Sequence, residues 1–304
     1  MTNENKKMTY QSETGRISQI VLKHVNEAFI NDQVIESQWE SLNYSGCPDF
    51  SRSVIEYDRV VHIFRESGIE VQFLEVDRRT NLDSIYVRDA SVICDKGAIL
   101  CNMGKQARRN EPLSLEKTYR SMGINIAGAI TGEGILEGGD VVWIDERTMV
   151  VGQGYRTNAE GIRQLKTLLG DCVDEVLIAQ LPHWRGLSDV FHLMSILSPV
   201  DRDKALVYSP VMPAVIRQKL LAKGIHLIEV ADEEFEAMAC NVLALAPSKC
   251  LMLAGNPKTR TRLERAGVEV YEYAGDEISV KGAGGPTCLT RPTMRERSLP
   301  LSSN

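Results

Sequence analysis

The sequence predicts an α/β fold assembled as a closed, propeller-like array of about five similar units, and three observations predict it. First, a polar residue opens an apolar run at positions 89, 140, 192 and 241, with separations of 51, 52 and 49 residues, and a further step of 47 lands on Cys288. Second, each run is rich in Val, Ile and Leu and is followed by a short polar turn and another apolar run, the pattern of paired buried strands. Third, a helical stretch and usually a third strand close each unit, and a period near fifty with this content is the signature of a repeat array.

Taken in order, Ile17 to Leu22 reads as an N-terminal strand that completes the ring. The repeated openings are Asp89-Ala90-Ser91-Val92-Ile93, Asp140-Val141-Val142-Trp143-Ile144, His192-Leu193-Met194-Ser195-Ile196 and Asn241-Val242-Leu243-Ala244-Leu245. Turns such as Cys94-Asp95-Lys96-Gly97 and Asp145-Glu146-Arg147 separate the first two strands of a unit. Thr157 to Leu169 places Ile162, Leu165, Leu168 and Leu169 on one helical face, with Thr157 or Asn158 as cap. Met212 to Ala222 and Lys258 to Ala266 fill the same slot later in the chain. Third strands follow at Glu175 to Ile178, Ile225 to Ile228 and Val268 to Tyr271. No linker divides the chain, so residues 1–304 form one expected domain, with 1–14 and 296–304 as flexible ends.

Composition narrows the function. The chain is 43% hydrophobic and 25% charged, which is globular in character. No stretch is long and apolar enough to span a membrane, and the first residues lack the apolar core of a signal peptide. A net charge of −6 without a basic run argues against nucleic acid as a partner. The seven cysteines are odd in number and include no C-x-x-C pair, so reduced thiols in the cytoplasm fit better than a disulfide framework or a metal centre. The expected partner is a small molecule, with self-association into a homo-oligomer left open.

If the units share one plan, the strand-opening slots converge near a common axis. They hold Asp89, Asp140, His192, Asn241 and Cys288, with Glu137 three residues ahead of Asp140. A core without function would place Ala or Val there, because an unpaired buried charge is costly. Cys288 follows the glycine-rich turn Gly284-Gly285-Pro286-Thr287, and glycine's backbone freedom allows such a turn to aim one side chain into a cleft. A thiol joined by a histidine from elsewhere in the chain is a nucleophile arrangement. Activation by a neighbouring cation or His is expected to lower the thiol from its ordinary pKa of about 8.5. Flanking carboxylates oppose the anionic intermediates of ester or amide cleavage, but they suit a substrate carbon that carries positive charge. A guanidinium is planar, cationic and able to pair with carboxylates through two parallel hydrogen bonds.

The segments Ser84-Ile85-Tyr86-Val87-Arg88-Asp89, Leu136-Glu137-Gly138-Gly139-Asp140, Val151 to Asn158, His192-Leu193 and Gly284 to Pro292 occur in one order. From about residue 15 to 295 this set resembles the guanidino-group-modifying (pentein) superfamily of dimethylarginine dimethylaminohydrolases, arginine deiminases and glycine amidinotransferases. The resemblance implies a five-bladed α/β propeller and no metal or organic cofactor. It implies that Cys288 attacks the guanidino carbon, and that His192 protonates the departing amine and then deprotonates the water that resolves a covalent thiouronium. Glu137 would hold the guanidinium and support the histidine, Asp89 would grip the guanidinium nitrogens, and Arg156 would pair with the substrate's α-carboxylate. Asp83 matches a position that contacts substrate, and Asp140 is taken as a further substrate-binding residue.

The chain departs from the resemblance at one point. Deiminases and amidinotransferases carry His-x-Asp at the histidine strand, whereas this chain has His192-Leu193-Met194. Loss of that acid suits a terminal nitrogen that is alkylated, or a neutral ureido group. The leading expectation is therefore dimethylarginine hydrolysis to citrulline and an amine. Citrulline cleavage to ornithine, arginine deimination or dihydrolysis, amidino transfer, and a catalytically silent binding protein of the same fold stand as alternatives. Asn241 and Cys240 are read as structural, Gln106 to Glu111 as a solvated helix start, and His183 as a loop residue near the pocket.

Overall fold

The computed structural model describes residues 8–186 and 191–297, and every structural statement below concerns those residues. Five separate small sheets follow one another along the chain. The second to fifth contain Ser91–Cys94, Gly97–Leu100 and Ile126–Ala129; Val141–Asp145, Thr148–Gln153 and Glu175–Gln180; Leu197–Asp201, Lys204–Val207 and His226–Glu229; and Leu243–Ala246, Lys249–Leu253 and Glu269–Tyr273. In each, the first two strands form an antiparallel hairpin and the third runs parallel to the second. A parallel partner cannot be reached by a tight turn, so a crossover helix intervenes. These helices are Glu111–Ser121, Ala159–Leu169, Ala214–Ala222 and Pro257–Arg265.

The first sheet joins the two ends of the chain. Its order is Met8–Thr9, Arg291–Glu296, Ile17–Leu22 and Glu70–Phe73, with Ile17–Leu22 antiparallel to Arg291–Glu296 and parallel to Glu70–Phe73. Its crossover is the long helix Phe50–Glu66, started by Asp49, whose side chain accepts from the Arg52 N–H at 2.8 Å. Val21 packs in one apolar cluster with Val92, Ile99 and Val141, while Ile17 and Ile20 pack in another with Leu243 and Leu251. The first sheet therefore shares core with both the second and the fifth.

The helix expected over Thr157 to Leu169 forms at Ala159–Leu169. Asn158 is its cap, accepting from the Gly161 N–H at 2.8 Å, and Ile162, Leu165 and Leu169 are buried. The polar openings differ from expectation in one respect. Asp89, Asp140, His192, Asn241 and Cys288 do not start strands but lie one to five residues ahead of them, in or beside short turns such as Val87–Ala90 and Gly138–Asp140. These lead-ins carry the side chains off the ends of the sheets.

The expectation of loose ends is corrected for residues 8–14 and for Glu296. Met8–Thr9 pairs with Arg295 and Glu296, while Thr9, Gln11, Glu13 and Thr14 are buried. Gln11 Nε2 donates to the carbonyls of Glu146 and Cys172 at 2.8 Å each, and Glu13 forms a buried ion pair with Arg88 at 2.8 Å. Polar satisfaction of this kind fixes a segment that hydrophobicity alone would not. Residues 1–7 and 298–304 lie outside the described residues.

Candidate active site

The lead-ins bring the slot residues together. His192 Nε2 lies 2.8 Å from Glu137 Oε2, and His192 Nδ1 lies 3.8 Å from Asp89 Oδ1. Gly139 makes this closeness feasible: a Cβ there would sit 2.6 Å from His192 Nδ1 and 2.7 Å from Asp89 Oδ1. The Gly139 N–H also donates to Asp89 Oδ1 at 3.1 Å. Cys288 is partly accessible, and its Sγ accepts from Asn241 Nδ2 at 3.3 Å. Asn241 Oδ1 in turn accepts from the Thr287 N–H at 3.0 Å and the Thr287 hydroxyl at 2.7 Å. The amide thus clamps the residue before the thiol while facing the thiol itself.

Three of the four acids expected to meet a cationic substrate, all but Asp140, are already matched with a cation of the chain. Glu137 receives Arg156 Nη1 at 2.9 and 3.2 Å on its two oxygens. Asp89 Oδ2 receives Arg108 Nη1 at 2.5 Å. Arg108 is further held by Glu111, at 2.9 and 2.8 Å, and by the Tyr86 carbonyl at 2.7 Å. Asp83 Oδ2 lies 2.7 Å from the Lys105 ammonium. Buried charges survive only when compensated in this way.

The environment sets the protonation states. Burial opposes charging of His192, but the carboxylates of Asp89 and Asp140 and the hydrogen bond to Glu137 outweigh it and push its pKa up to about 9. Burial likewise opposes ionisation of Glu137, yet His192 and Arg156 hold it well below the usual carboxylate range. Burial raises Asp140 to about 6. Cys288 departs from expectation: burial, and then the nearby Asp89 charge, push the thiol up from its ordinary value, only partly offset by Thr287 and Asn241. At neutral pH the pair therefore stands as thiol and imidazolium.

Two cavities meet at this pair. One, of about 100 Å³, is the polar cavity, named for its charged lining of Asp83, Asp89, Lys105, Arg108, Arg156 and His192, which stands beside Cys288, Leu42 and Tyr86. The second, of about 200 Å³, also reaches His192 and Cys288 but has a mainly apolar wall of Trp184, Phe191, Met194, Phe235 and Met238, with Arg185 and Glu236 as a charged pair on the same wall. Six of the seven residues singled out from the sequence thus gather here: Cys288, His192, Asp89, Arg156 and Asp83 line the polar cavity, and Glu137 is buried against His192 and Arg156.

Asp140 does not join them. It lines neither cavity, and its Oδ1 accepts from the Leu193 N–H at 3.0 Å, which steadies the turn next to His192. Arg108 and Glu111, expected in a solvated helix start, are buried. The clue was Arg108 three residues ahead of Glu111, a spacing that lets an arginine pair with an acid across one turn of the chain. Asn241 is more than structural, given its contact with the thiol. His183 is exposed, lies 2.6 Å from the Tyr155 hydroxyl, and lines neither cavity.

Asp89, Glu137 and His192 offer ligand atoms within 4.8 Å of one another, the one grouping among the described residues close enough for a metal ion. Their donor atoms are committed to Arg108, Arg156 and each other, so the set does not suit a resident cation. No helix among those residues is long and apolar enough to cross a membrane, and all seven cysteines are free.

A thiol, a charged imidazole and buried carboxylates at the junction of five small sheets define an enzyme of the guanidino-group-modifying superfamily. Within it, the chain belongs to the dimethylarginine dimethylaminohydrolase family: the family model described as N,N dimethylarginine dimethylhydrolase, eukaryotic, matches residues 25–295. The chain is 25% identical over 248 residues to N(G),N(G)-dimethylarginine dimethylaminohydrolase of Pseudomonas aeruginosa, covering 82% of this chain and 91% of that one. The structure of the Pseudomonas enzyme with citrulline superposes with a TM-score of 0.71 at 21% identity, over 90% of this chain and 98% of that one. Arginine deiminase of Listeria welshimeri is 25% identical over 257 residues, covering 69% and 61% of the two chains. The N-terminal domain of ArgZ, an arginine dihydrolase from cyanobacteria, superposes with a TM-score of 0.76 at 18% identity, over 91% and 97% of the two chains.

Proposed function

We propose that this protein hydrolyses the guanidino group of an arginine-like amino acid through a covalent adduct on Cys288, with dimethylarginine as the first candidate substrate and citrulline and an amine as products. The carrying observation is that Cys288 and His192 face the same two cavities, with Glu137 buried at 2.8 Å behind the imidazole. In this reading the whole chain acts as one catalytic unit of the cytoplasm. Its five sheets serve as blades of a propeller whose axis the lead-in residues surround.

The protonation states dictate the order of events. His192 is already protonated at neutral pH, so it is not the acceptor for the Cys288 proton. The thiol instead ionises to solvent as the cationic guanidinium arrives and offsets the cost of a buried thiolate. The thiolate attacks the guanidino carbon, forming the C–S bond. The C–N bond to the departing nitrogen then breaks, and His192 supplies the proton that lets it leave as an amine. Neutral His192 next takes a proton from water, which adds to the thiouronium carbon. Collapse breaks the C–S bond, the hydroxyl proton passes to solvent as the C=O forms, and the ureido product and the thiolate are released. Asp89 and Glu137 stabilise the cationic centre throughout, and Glu137 keeps the imidazole oriented.

The apolar second cavity supports an alkylated departing nitrogen. Met194 stands where the resemblance implies an acid in arginine deiminases and amidinotransferases but not in dimethylarginine hydrolases, and it lines that cavity. A neutral ureido group, as in citrulline, also needs no acid there and forms the second reading. Incubation with arginine, mono- and dimethylarginine, citrulline and agmatine, with products identified by mass beside a Cys288→Ser control, tests the proposal. Citrulline from methylated arginine alone supports it. Ornithine from citrulline moves the enzyme to the ureido reading. Identical behaviour of protein and control, with no product, returns the chain to amidino transfer or pure binding.

A further inference from the structure

The second cavity has about twice the volume of the polar one, about 200 Å³ against about 100 Å³, and a different chemistry. Phe235 stacks face to face on Tyr208 with ring centres 3.7 Å apart, which fixes one side of the wall. Trp184 stands edge-on to Phe235 at 5.9 Å and lies tilted against Phe191 at 6.2 Å. Trp184, Phe191 and Phe235 are only half-buried despite these contacts, so each leaves apolar surface on the cavity. Met194 completes the wall, its sulfur held by Arg88 Nε at 3.3 Å. Three charged side chains reach the cavity, and each already has a partner: Arg185 and Glu236 pair at 2.7 Å, and His192 meets Glu137 at 2.8 Å. Among its described lining residues the cavity thus offers apolar contact and no unmatched charge.

His192 and Cys288 stand where the two cavities meet. A substituent on the nitrogen that His192 protonates therefore has two places to go. The polar cavity is closed to an apolar group, which would strip water from Asp83, Asp89, Lys105 and Arg108 and give nothing back. The second cavity receives it. An apolar cavity of about 150 Å³ holds a benzene ring, so the two methyl groups of dimethylarginine fill only part of a larger one.

We propose that the second cavity selects arginines whose departing nitrogen carries an uncharged apolar group of about ring size, such as benzyl, ahead of methyl or dimethyl. The inference rests on the reading of Cys288 as the centre that attacks a guanidino carbon, and it deepens that reading by naming the class of departing amine. The balance of the reaction is unchanged. The C–N bond to the substituted nitrogen breaks, His192 supplies the proton, water supplies the oxygen of citrulline, and the arm leaves as its amine. Each methylene taken fully out of water is worth about a fourfold gain in binding.

Arginines substituted on the terminal nitrogen with methyl, dimethyl, propyl, benzyl or 3-aminopropyl test this. Citrulline formation gives kcat/KM for the enzyme, and calorimetry gives the affinity of each for Cys288→Ser protein. Both quantities should climb from methyl through propyl to benzyl, by about tenfold or more across the series. The 3-aminopropyl compound should fall about tenfold or more below propyl, because its ammonium would meet an apolar wall without a partner. Phe235→Ala should lower the benzyl-to-methyl ratio by about tenfold. Trp184→Ala, which keeps the Tyr208–Phe235 stack, makes the same test if Phe235→Ala fails to fold. Because the readout is a ratio, a general loss of activity does not mimic it. Equal values for methyl and benzyl, a preference for 3-aminopropyl over propyl, or a ratio unmoved by the variants overturns the inference. Affinity that climbs along the series with no citrulline from any member contradicts the catalytic proposal alone. Citrulline from methylarginine with benzylarginine rejected contradicts the inference alone, and neither binding nor turnover of any compound overturns both.

Discussion

Asn241 Nδ2 lies 3.3 Å from Cys288 Sγ, while the carbonyl oxygen of the same amide accepts both the N–H and the hydroxyl of Thr287. One side chain thus fixes the turn that carries the nucleophile and places a donor beside its sulfur. A hydrogen bond to a charged group contributes roughly 1.5–3 kcal/mol. Asn241→Ala is therefore expected to lower kcat by about 10- to 100-fold, with KM less affected. Steady-state kinetics check this, and an Asn241→Asp variant should be worse still, because a second carboxylate would raise the thiol pKa further.

Gly139 touches the histidine and an acid at once. A methyl group there would stand within 2.7 Å of Asp89 Oδ1 and 2.6 Å of His192 Nδ1. Neither neighbour is free to withdraw, since both are buried and hydrogen-bonded. Gly139→Ala is expected to cut kcat/KM by about a hundredfold, since catalytic groups misplaced by about an ångström cost that much. Destabilisation from overpacking should stay near 1–3 kcal/mol. Kinetics beside urea unfolding separate the two effects.

The pKa of His192, raised to about 9 from its ordinary 6.5, fixes the sign of two pH effects. The imidazolium is the form that protonates the departing amine, so kcat should fall as pH rises through about 9. Because the folded value is the raised one, the stability His192 contributes is complete below its unfolded pKa and is lost as pH climbs from about 6.5 through 9. Glu137→Gln removes the hydrogen-bonded carboxylate and should move the alkaline limb of kcat down by roughly one unit or more. A limb unmoved by this change would count against Glu137 as the partner of the imidazole.

Arg108 holds Asp89 and Glu111 together in the buried wall of the cavity. Burial raises Glu111 to about 7 even with the arginine beside it. Arg108→Met leaves two buried acids without their cation, and breaking such an arrangement from one side costs roughly 3–5 kcal/mol. Chemical denaturation at pH 7 should show this loss. The deficit should shrink towards pH 5, where Glu111 is protonated in the folded protein.

The sequence displays the repeat and most of the site because both depend on local pattern. A charged or polar residue ahead of Val-, Ile- and Leu-rich strands is conspicuous at Asp89, Asp140, His192, Asn241 and Cys288. The crossover helix at Ala159–Leu169 declares itself through Asn158 and the stripe of Ile162, Leu165 and Leu169. What is hidden depends on long-range pairing. Arg108 reads as solvated because Asp89 lies 19 residues earlier in the chain, and only the folded chain brings the two together. Residues 8–14 read as a loose end because their anchors, Asp95, Glu146, Cys172 and Arg88, come from later units. The Cys288 thiol misled for a similar reason: a neighbouring histidine suggests activation, but burial and the Asp89 charge decide the balance.

The central claim is that Cys288 becomes covalently attached to the carbon of a guanidino group. Rapid acid quenching during turnover of dimethylarginine, followed by intact-mass and peptide mass spectrometry, tests it most directly. The account predicts an adduct on the peptide containing Cys288, with the mass of substrate less the departing amine, absent from Cys288→Ser protein and lost as product accumulates. Product formation without any such adduct, or undiminished turnover by Cys288→Ser protein, would contradict it.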